Sequence, residues 1–241
     1  MDNRGTKNKG KNTGRGFWNK EYGQKGKHLA LSNNPSEDLM KFTKWLDRND
    51  AFGGLNSHSH VLDLGCGNGR NLIYLAKTHN ISGIGYDISN EAITQAIDLS
   101  KDLKLKYEAR SIAGPIALKD ESQDLILDMM TSHFLNYGER EILYKEIARL
   151  LKPGGWLYFK TFLRDEDTHA ERLLRENPAQ EKGSYIHPKI GVAEHVFTEV
   201  EIEQMLTKNF KIHKMLRSHR HRDEKGHAAK RRSISVYAER V

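Results

Sequence analysis

The sequence has few of the features that mark membrane-spanning and secreted proteins. No apolar run approaches the roughly 20 residues that a membrane-spanning helix requires, and Met1 to Gly16 contain no apolar segment of a secretory signal. Cys66 is the single cysteine among 241 residues, so no internal disulfide can form. Only 37% of the residues are hydrophobic, and the length suits one domain with a core of its own. We therefore expect a cytoplasmic protein that does not contact the membrane.

Positive charge is concentrated at the two ends of the chain. Residues 1–27 carry eight Lys and Arg against two acidic residues, and residues 208–241 carry eleven against three. Since the whole chain has a net charge of +7, the middle is acidic, with a net charge of −7. Basic ends can bind RNA by releasing counterions from its phosphates, or they can simply keep the chain soluble. Charge alone leaves both alternatives open.

Two kinds of apolar pattern alternate in the middle of the chain. From Val61 to Phe162, short runs typical of buried strands are separated by helical patterns. This alternation predicts a Rossmann-like, doubly wound α/β sheet with helices on both faces. Two further strand-like runs, 211–216 and 233–238, predict a C-terminal antiparallel hairpin that completes a seven-stranded sheet.

Two polar segments fall outside this pattern. Residues 1–16 are rich in Gly, Asn and Lys and have no apolar periodicity, which predicts a disordered basic tail before a single domain at 17–241. Residues 163–197 are too long for an ordinary connection, so we interpret them as an insertion that acts as a lid or substrate wall. A plain surface insertion is the alternative. The candidate substrate-binding residues of the insertion are Tyr185, His187 and His195.

A glycine-rich turn follows the first core strand and reads Asp63-Leu64-Gly65-Cys66-Gly67-Asn68-Gly69. Glycines here permit a tight turn and let the backbone approach a ligand, and the helix that begins behind the turn adds N–H donors. Asp87 ends the second strand, where a carboxylate can accept both hydroxyls of a ribose. The spacing G-x-G-x-G differs from that of dinucleotide sites, and the charge of Asp63 would repel a pyrophosphate. The turn therefore favours S-adenosylmethionine (SAM), whose amino-acid end carries an ammonium group.

Four segments resemble, in the same order, the successive motifs of the class I SAM-dependent methyltransferases. These segments are VLDLGCGNGR, GIGYDIS, QDLILDMM and LLKPGGWLYF. The resemblance implies an enzyme that uses SAM and releases S-adenosylhomocysteine (SAH). It implies a methionine end at Asp63, Gly65, Gly67 and Gly69, a ribose contact at Asp87, and an adenine contact at Ser111 or Ile112. Ile88 and Met129 complete the implied cofactor site.

Methyl transfer has no universal catalytic residue, because a base is needed only when the nucleophile carries a proton. His133 lies just beyond the fourth core strand, at the edge where such sheets bind ligands, and is our candidate base. Asp128 could orient His133 or contact the cofactor; a helix-start or packing role is the alternative for His133. The chain lacks an Asn/Asp-Pro-Pro-Tyr motif here, which disfavours amino methylation of adenine. Cys66 lies inside the cofactor turn, which disfavours a cysteine adduct on cytosine.

The stretch Gly67–Ala76 and the C-terminal hairpin resemble the tellurite-resistance and thiopurine-type small-molecule methyltransferases. This resemblance implies substrate contacts from His221, Arg222 and Arg231. A basic pocket suits an acidic small molecule and also suits RNA phosphate. We predict a small-molecule acceptor. An RNA or protein methyltransferase and a non-catalytic SAM-binding module are the alternatives.

Two smaller features need an interpretation. The pairs His58/His60 and His219/His221 have no third ligand at a recognisable spacing, so we expect no metal site. Trp18 and Tyr22 precede the first core strand; this aromatic pair either closes over the cofactor or covers the surface of the core.

Overall fold

The computed structural model describes residues 13–23, 31–49, 54–218 and 231–241. The helices of this part of the chain are α1 (Thr13–Gly23), α2 (Glu37–Asn49), α3 (Arg70–His79), α4 (Asn90–Leu99), α5 (Tyr137–Leu150), α6 (Thr168–Glu176) and α7 (Glu199–Leu206). The strands are β1 (His60–Leu64), β2 (Ser82–Asp87), β3 (Leu105–Ala109), β4 (Gln123–Met129), β5 (Leu151–Phe162), β6 (Ser184–Ile186), β7 (Ala193–His195), β8 (Phe210–Arg217) and β9 (Ser233–Arg240). A short 3-10 helix, Ser132–Phe134, follows β4. Within the described ranges, no helix has the length and apolar character needed to cross a bilayer; the cytoplasmic location stays a prediction.

Seven strands form one sheet in the order β3-β2-β1-β4-β5-β9-β8. The first five strands are parallel, whereas β9 runs antiparallel to both β5 and β8. The predicted Rossmann-like sheet and its C-terminal antiparallel hairpin are therefore confirmed. The chain leaves β1 toward β2 on one side and returns to β4 on the other, so β1 and β4 flank the topological switch point. Ligands bind at the carboxyl ends of the strands at such a point.

Alternate side chains of the strands build two separate cores. Val61 and Leu125 face α2 and α3, whereas Leu62 and Ile126 face α5 and α7. All four side chains are fully buried, as expected for central parallel strands that are covered on both faces. The two layers of helices thus hold the central strands rigidly and fix where their carboxyl ends meet.

Helix α1 begins at Thr13, inside the segment predicted to be disordered. The prediction is wrong for residues 13–16, while residues 1–12 lie outside the described part of the chain. Tertiary contacts stabilise α1: the ring of Trp18 packs edge-on against Phe134 with centroids 5.6 Å apart, and Gln95 Nε2 donates to the carbonyl of Tyr22 at 2.7 Å. Packing of this kind overrides a weak local helix propensity, and its long-range partners are not visible in the local sequence.

Residues 163–197 are more regular than the sequence predicts. They contain α6 and the two-stranded hairpin β6–β7. Asp167 Oδ1 caps α6 by accepting from the backbone N–H groups of His169 and Ala170 at 2.9 and 3.2 Å. Leu173, Tyr185 and other apolar side chains form a small core of the insertion. The polar sequence of this segment gives little sign of regular structure, but an N-cap and buried apolar side chains are enough to fold a short helix and hairpin.

Helix α2 is held on the sheet mainly by Phe42. Its ring is fully buried and lies 4.8 Å, centroid to centroid, from both Tyr158 and Tyr237. We expect Phe42→Ala to lower the free energy of unfolding by about 3–5 kcal/mol, because a large buried ring leaves a cavity. Lys44→Ala on the exposed side of α2 is the control and should change it by less than about 0.5 kcal/mol. Urea denaturation measures both, and equal effects would contradict the packing role.

Candidate active site

The glycine turn after β1 is fixed by backbone hydrogen bonds to the end of β2. The N–H groups of Gly65 and Cys66 both donate to the carbonyl of Tyr86, at 2.7 and 2.9 Å. Gly65 and Gly67 have φ angles of +76° and +55°, which favour glycine. A side chain at Gly65 would overlap Thr131, and one at Gly67 would overlap the Tyr22 hydroxyl. These two glycines therefore keep a narrow space open between the turn and its neighbours.

Asp87 ties the turn to the strand beside it. Its Oδ2 accepts from the N–H of Gly67 at 2.9 Å, and its Oδ1 accepts from the N–H of Ser89 at 2.8 Å. Burial raises the pKa of Asp87, while the hydrogen bonds from Ser89 and Gly67 oppose that rise. Since each carboxylate oxygen can accept more than one hydrogen bond, Asp87 keeps acceptor capacity toward the cavity that it lines. This geometry fits the ribose contact predicted for Asp87.

Asp63 has a buried oxygen that needs a cationic partner. Only 1% of the residue is exposed, and Oδ2 has no hydrogen-bond partner within the described residues. Burial and the nearby charge of Asp87 raise the pKa of Asp63 to about 7. A buried carboxylate without a partner is costly, and an ammonium group placed beside it removes the cost. Asp63 itself does not line the cavity described below, but its orphaned oxygen lies beside Gly65, so it and the space kept open by Gly65 and Gly67 fit the amino-acid end of SAM.

One cavity of about 350 Å³ opens at the carboxyl ends of β1 and β4. The predicted cofactor-binding residues that line it are Gly65, Gly67, Asp87, Ile88, Ser111, Ile112 and Met129. Trp18 and Tyr22 of α1 also line it, which favours the interpretation that this aromatic pair closes over the cofactor. The cavity continues to Phe134, Leu135 and Val192. This apolar part of the cavity is therefore built from the segment after β4 and from the insertion.

Gly69 does not line the cavity, which corrects its predicted role. It has a φ of +76° and is the N-cap residue of α3. A Cβ atom at this position would lie 2.6 Å from the Tyr107 hydroxyl and 3.0 Å from Ala96 Cβ. Gly69 is therefore a packing residue that lets the start of α3 approach β3 and α4. The sequence motif alone could not separate this role from ligand contact.

Asp128 fixes the segment that follows β4. It is fully buried; its Oδ1 accepts from the N–H of Ser132 at 3.1 Å, and its Oδ2 accepts from the Tyr144 hydroxyl at 2.7 Å. Burial raises the pKa of Asp128, and its hydrogen bonds with Ser132 and Tyr144 counteract that rise. The side chain does not line the cavity. Asp128 thus orients the backbone that carries the apolar part of the cavity.

His133 is buried behind the cavity wall. Only 2% of the residue is exposed, and its ring packs against Phe134 and Phe162 with centroids 4.1 and 5.3 Å away. Burial lowers the pKa of His133 to about 3, so the ring is neutral at physiological pH. Phe134, not His133, lines the cavity. This position is that of a packing residue, the alternative that the sequence left open.

The insertion brings several predicted substrate residues together, but they lie behind the residues that line the cavity, as His133 does. The Tyr185 hydroxyl donates to Glu194 Oε2, and Arg231 Nη1 donates to the same oxygen at 2.6 Å. The guanidinium of Arg231 lies 3.4 Å from the ring centroid of Phe162, and the ring of His187 lies 6.3 Å from that of Tyr185. None of these side chains lines the cavity. They hold the hairpin that carries Val192.

The other predicted substrate residues lie elsewhere. His195 Nδ1 is 2.9 Å from the Ser184 hydroxyl and also does not line the cavity. His221 and Arg222 lie outside the described residues. In the part of the chain that the structure describes, no group of three His, Cys, Asp or Glu residues could hold a metal ion; the pair His219/His221 lies outside it.

The cavity also contains a residue that the sequence reasoning missed. Lys160 lines it from the end of β5. Its signal in the sequence is a single charged residue near the end of a buried parallel strand, at Trp156–Phe162. Because the C-terminal ends of parallel strands form the ligand-binding edge, that position could have been flagged as a candidate.

Comparisons with known proteins agree with this geometry. A family model described as a methyltransferase domain matches residues 61–155. A fatty-acid O-methyltransferase from Mycolicibacterium smegmatis is 27% identical over 154 residues, which cover 63% of this chain and 55% of that protein. A ubiquinone biosynthesis O-methyltransferase from Burkholderia orbicola is 27% identical over 163 residues, which cover 56% of this chain and 66% of that protein. This chain thus spans between about half and two thirds of the length of these relatives.

A solved structure extends the similarity beyond the family model. The crystal structure of a SAM-dependent methyltransferase from Methanosarcina mazei matches with a TM-score of 0.65 and 26% identity, covering 78% of this chain and 94% of that one. The family model itself ends within β5, so α1, the insertion and the hairpin β8–β9 lie outside its match. The resemblance to tellurite-resistance and thiopurine-type enzymes stays a prediction.

Protonation of Asp63 should control SAH binding. An ammonium group pairs with the ionised carboxylate, and that form is lost as the pH falls through the pKa of about 7. We expect the affinity for SAH to fall by up to about tenfold per pH unit below pH ~7, and we expect Asp63→Asn to bind weakly without this dependence. Calorimetric titration measures both, with the exposed Asp98→Asn as the control. A flat profile for the unmodified protein would sink the assignment.

Gly67→Ala and Gly69→Ala should impair different properties: the first should lower the affinity for SAH, and the second should lower the stability of the fold. At Gly67 the new methyl group overlaps Tyr22 in the cavity wall, so we expect SAH affinity to fall by at least about tenfold. At Gly69 it presses on Tyr107 outside the cavity, so we expect a loss of about 1–3 kcal/mol of unfolding free energy with unchanged affinity. SAH titration and urea denaturation of each variant separate the two. The same loss of affinity in both variants would contradict the packing role of Gly69.

Proposed function

Because this chain belongs to the class I SAM-dependent methyltransferases, we propose that it transfers the methyl group of SAM to an oxygen atom of a small-molecule acceptor. One observation carries the proposal. One cavity is lined both by the cofactor residues Gly67 and Asp87 and by the apolar side chains of Phe134, Leu135 and Val192. A ligand against these apolar side chains would therefore share one cavity with the cofactor.

The cofactor, when bound, supplies an electrophilic methyl group on a sulfonium. The chain's own residues bind and orient: Asp63 would pair with the ammonium group, Asp87 would accept the ribose hydroxyls, and Ser111 and Ile112 would border the adenine. Trp18 of α1 lines the cavity and would shield a bound cofactor from water. Correct placement of an acceptor next to the methyl group supplies much of the rate enhancement of such a reaction.

The acceptor end favours a compact ligand with an apolar body. Trp18 and Phe134 meet edge to face there, and both rings line the cavity beside Leu135 and Val192. Ligand sites of this kind are mostly apolar with a few polar groups that fix orientation. The two curated relatives named above are O-methyltransferases of a fatty acid and of ubiquinone biosynthesis, which supports an oxygen acceptor on a largely apolar molecule.

Within this proposal the predicted catalytic and substrate residues do not contact the acceptor; they hold the residues that line the cavity. Asp128 holds the backbone at Ser132, His133 packs under Phe134, and Arg231 with Glu194 holds the hairpin that carries Val192. We infer that they are positioning residues for the acceptor. Because both ends of the chain are basic, RNA is included among the acceptors in the test below.

Transfer of radiolabel from [methyl-³H]SAM tests the function. The acceptors are saturated fatty acids, catechols and total RNA, and the background control is Asp87→Ala. We expect label in the organic extract; release by mild base identifies a methyl ester, and resistance identifies an aryl ether. Label only in precipitated RNA, abolished when residues 1–12 are deleted, would replace this proposal with the RNA alternative. A protein that binds SAH and labels none of the fractions would be a binding module.

A further inference from the structure

Lys160 places a cation in the acceptor part of the cavity. It lies near the carboxyl end of β5 and lines the cavity, with 18% of its side chain exposed. Its Nζ is 2.6 Å from Asp38 Oδ2, at the start of α2. Two other cations line the cavity, and both donate to backbone carbonyls: Arg70 to Asn34 at 3.1 Å and Arg110 to Pro115 at 3.0 Å.

The sheet order places Lys160 away from the cofactor turn. Lys160 pairs with Met129 of β4, and β4 separates β5 from β1, which carries Asp63. Adjacent strands lie about 4.8 Å apart, so the backbone of Lys160 is about 10 Å from that of β1. The methionine end of the cofactor is assigned to Asp63 on β1 and to Gly65, which directly follows β1. Lys160 therefore lies on the far side of Met129, where an acceptor would bind.

The pair with Asp38 leaves Lys160 able to bind a second anion. A lysine ammonium has three N–H donors, and the described contacts of Nζ assign one of them to Asp38. Asp38 also has a second partner, because its Oδ1 accepts from Lys41 Nζ at 3.1 Å. Partial burial opposes ionisation of Asp38, but the hydrogen bond and charge of Lys160 hold its pKa below the usual range. Asp38 thus stays ionised, and its carboxylate holds the Lys160 side chain beside the cavity.

We propose that Lys160 binds a carboxylate of the acceptor and so selects acidic small molecules. This proposal rests on the proposed function, since it names the substrate class of the same cavity. A carboxylate on an apolar body matches the ammonium of Lys160 at one wall and Phe134, Leu135 and Val192 at another. Charge-assisted hydrogen bonds of this kind are roughly twice as strong as neutral ones.

A purely structural role of the Lys160–Asp38 pair predicts a different result from a role in acceptor binding. If the pair served only to fasten α2 to β5, removing either partner would have the same effect. If Lys160 binds the acceptor, Lys160→Met removes the group that recognises the carboxylate. Asp38→Asn instead keeps the Lys160 ammonium and leaves it available to the ligand. Lys160→Arg keeps the charge and is the conservative control.

The test uses the SAH-loaded protein and matched acid and amide probes. Octanoate is compared with octanamide, and 4-hydroxybenzoate with 4-hydroxybenzamide, by calorimetric titration. The second pair, in which both members keep a phenolic oxygen, is then compared by KM in label transfer. We expect the unmodified protein to prefer at least one acid over its amide by about tenfold or more, as a charged hydrogen bond allows. Lys160→Met should lose the preference while its affinity for SAH stays within about twofold. Asp38→Asn and Lys160→Arg should keep most of the preference.

Each other outcome overturns the proposal. Equal losses in Lys160→Met and Asp38→Asn would show a tether alone. A fall in SAH affinity in Lys160→Met would show that Lys160 serves the cofactor carboxylate instead. No preference for either acid in the unmodified protein would show that the ammonium does not select acids. Failure of the proposed function is a separate result, seen as absent SAH binding or absent label transfer to any small molecule.

Discussion

The carboxylate of Asp87 is the contact on which the rest of the site depends. It accepts from Gly67 in the glycine turn and from Ser89 at the start of α4, and so joins the two segments that follow β1 and β2. Ser89 in turn caps α4 by accepting from Ala92, and its hydroxyl donates to Asn19 of α1 at 2.9 Å. One side chain therefore sets the width of the turn, the start of a helix and, through Ser89, the position of the helix that covers the cavity. The residue assigned to the ribose is also the residue that shapes the pocket around it.

This arrangement carries an electrostatic cost that a ligand can relieve. Asp63 and Asp87 are both buried, at the ends of neighbouring strands. The burial of Asp63 and the like charge of Asp87 both disfavour ionisation of Asp63. Among the described residues, none is a hydrogen-bond partner of Asp63 Oδ2, so a cation beside the ionised carboxylate contributes more there than it would at the surface. The protein thus holds an unfavourable charge arrangement in place before the ligand arrives. That is preorganisation, because the carboxylates do not have to move to meet the ammonium and ribose groups.

The cofactor half of the site could be predicted from the sequence, because its determinants are local. A strand, a glycine turn and an acid at the next strand end are spaced by fixed numbers of residues, and the alternation of apolar patterns gives the sheet that aligns them. Gly69 shows the limit: its φ of +76° fits the turn, yet its neighbour is Tyr107, and only the packed structure reveals that. Helix α1 was missed because its stability comes from Phe134 and Gln95, which are far away in sequence. Lys160 was missed because its importance follows from strand order, which places it beside Met129.

The acceptor half depends on long-range contacts, and these contacts make it rigid. The segment after β4 is fixed by Asp128 through Ser132 and Tyr144, and the hairpin β6–β7 is fixed by Glu194 between Tyr185 and Arg231. Breaking a buried pair of this kind by removing one partner is strongly destabilising, so the walls at Phe134 and Val192 have little freedom to adapt. A rigid apolar wall opposite a fixed ammonium discriminates by shape and charge together, since an acceptor must satisfy both in one orientation. Under the proposed function, specificity would therefore come from polar groups buried behind the cavity, which would act on the substrate through the residues they hold.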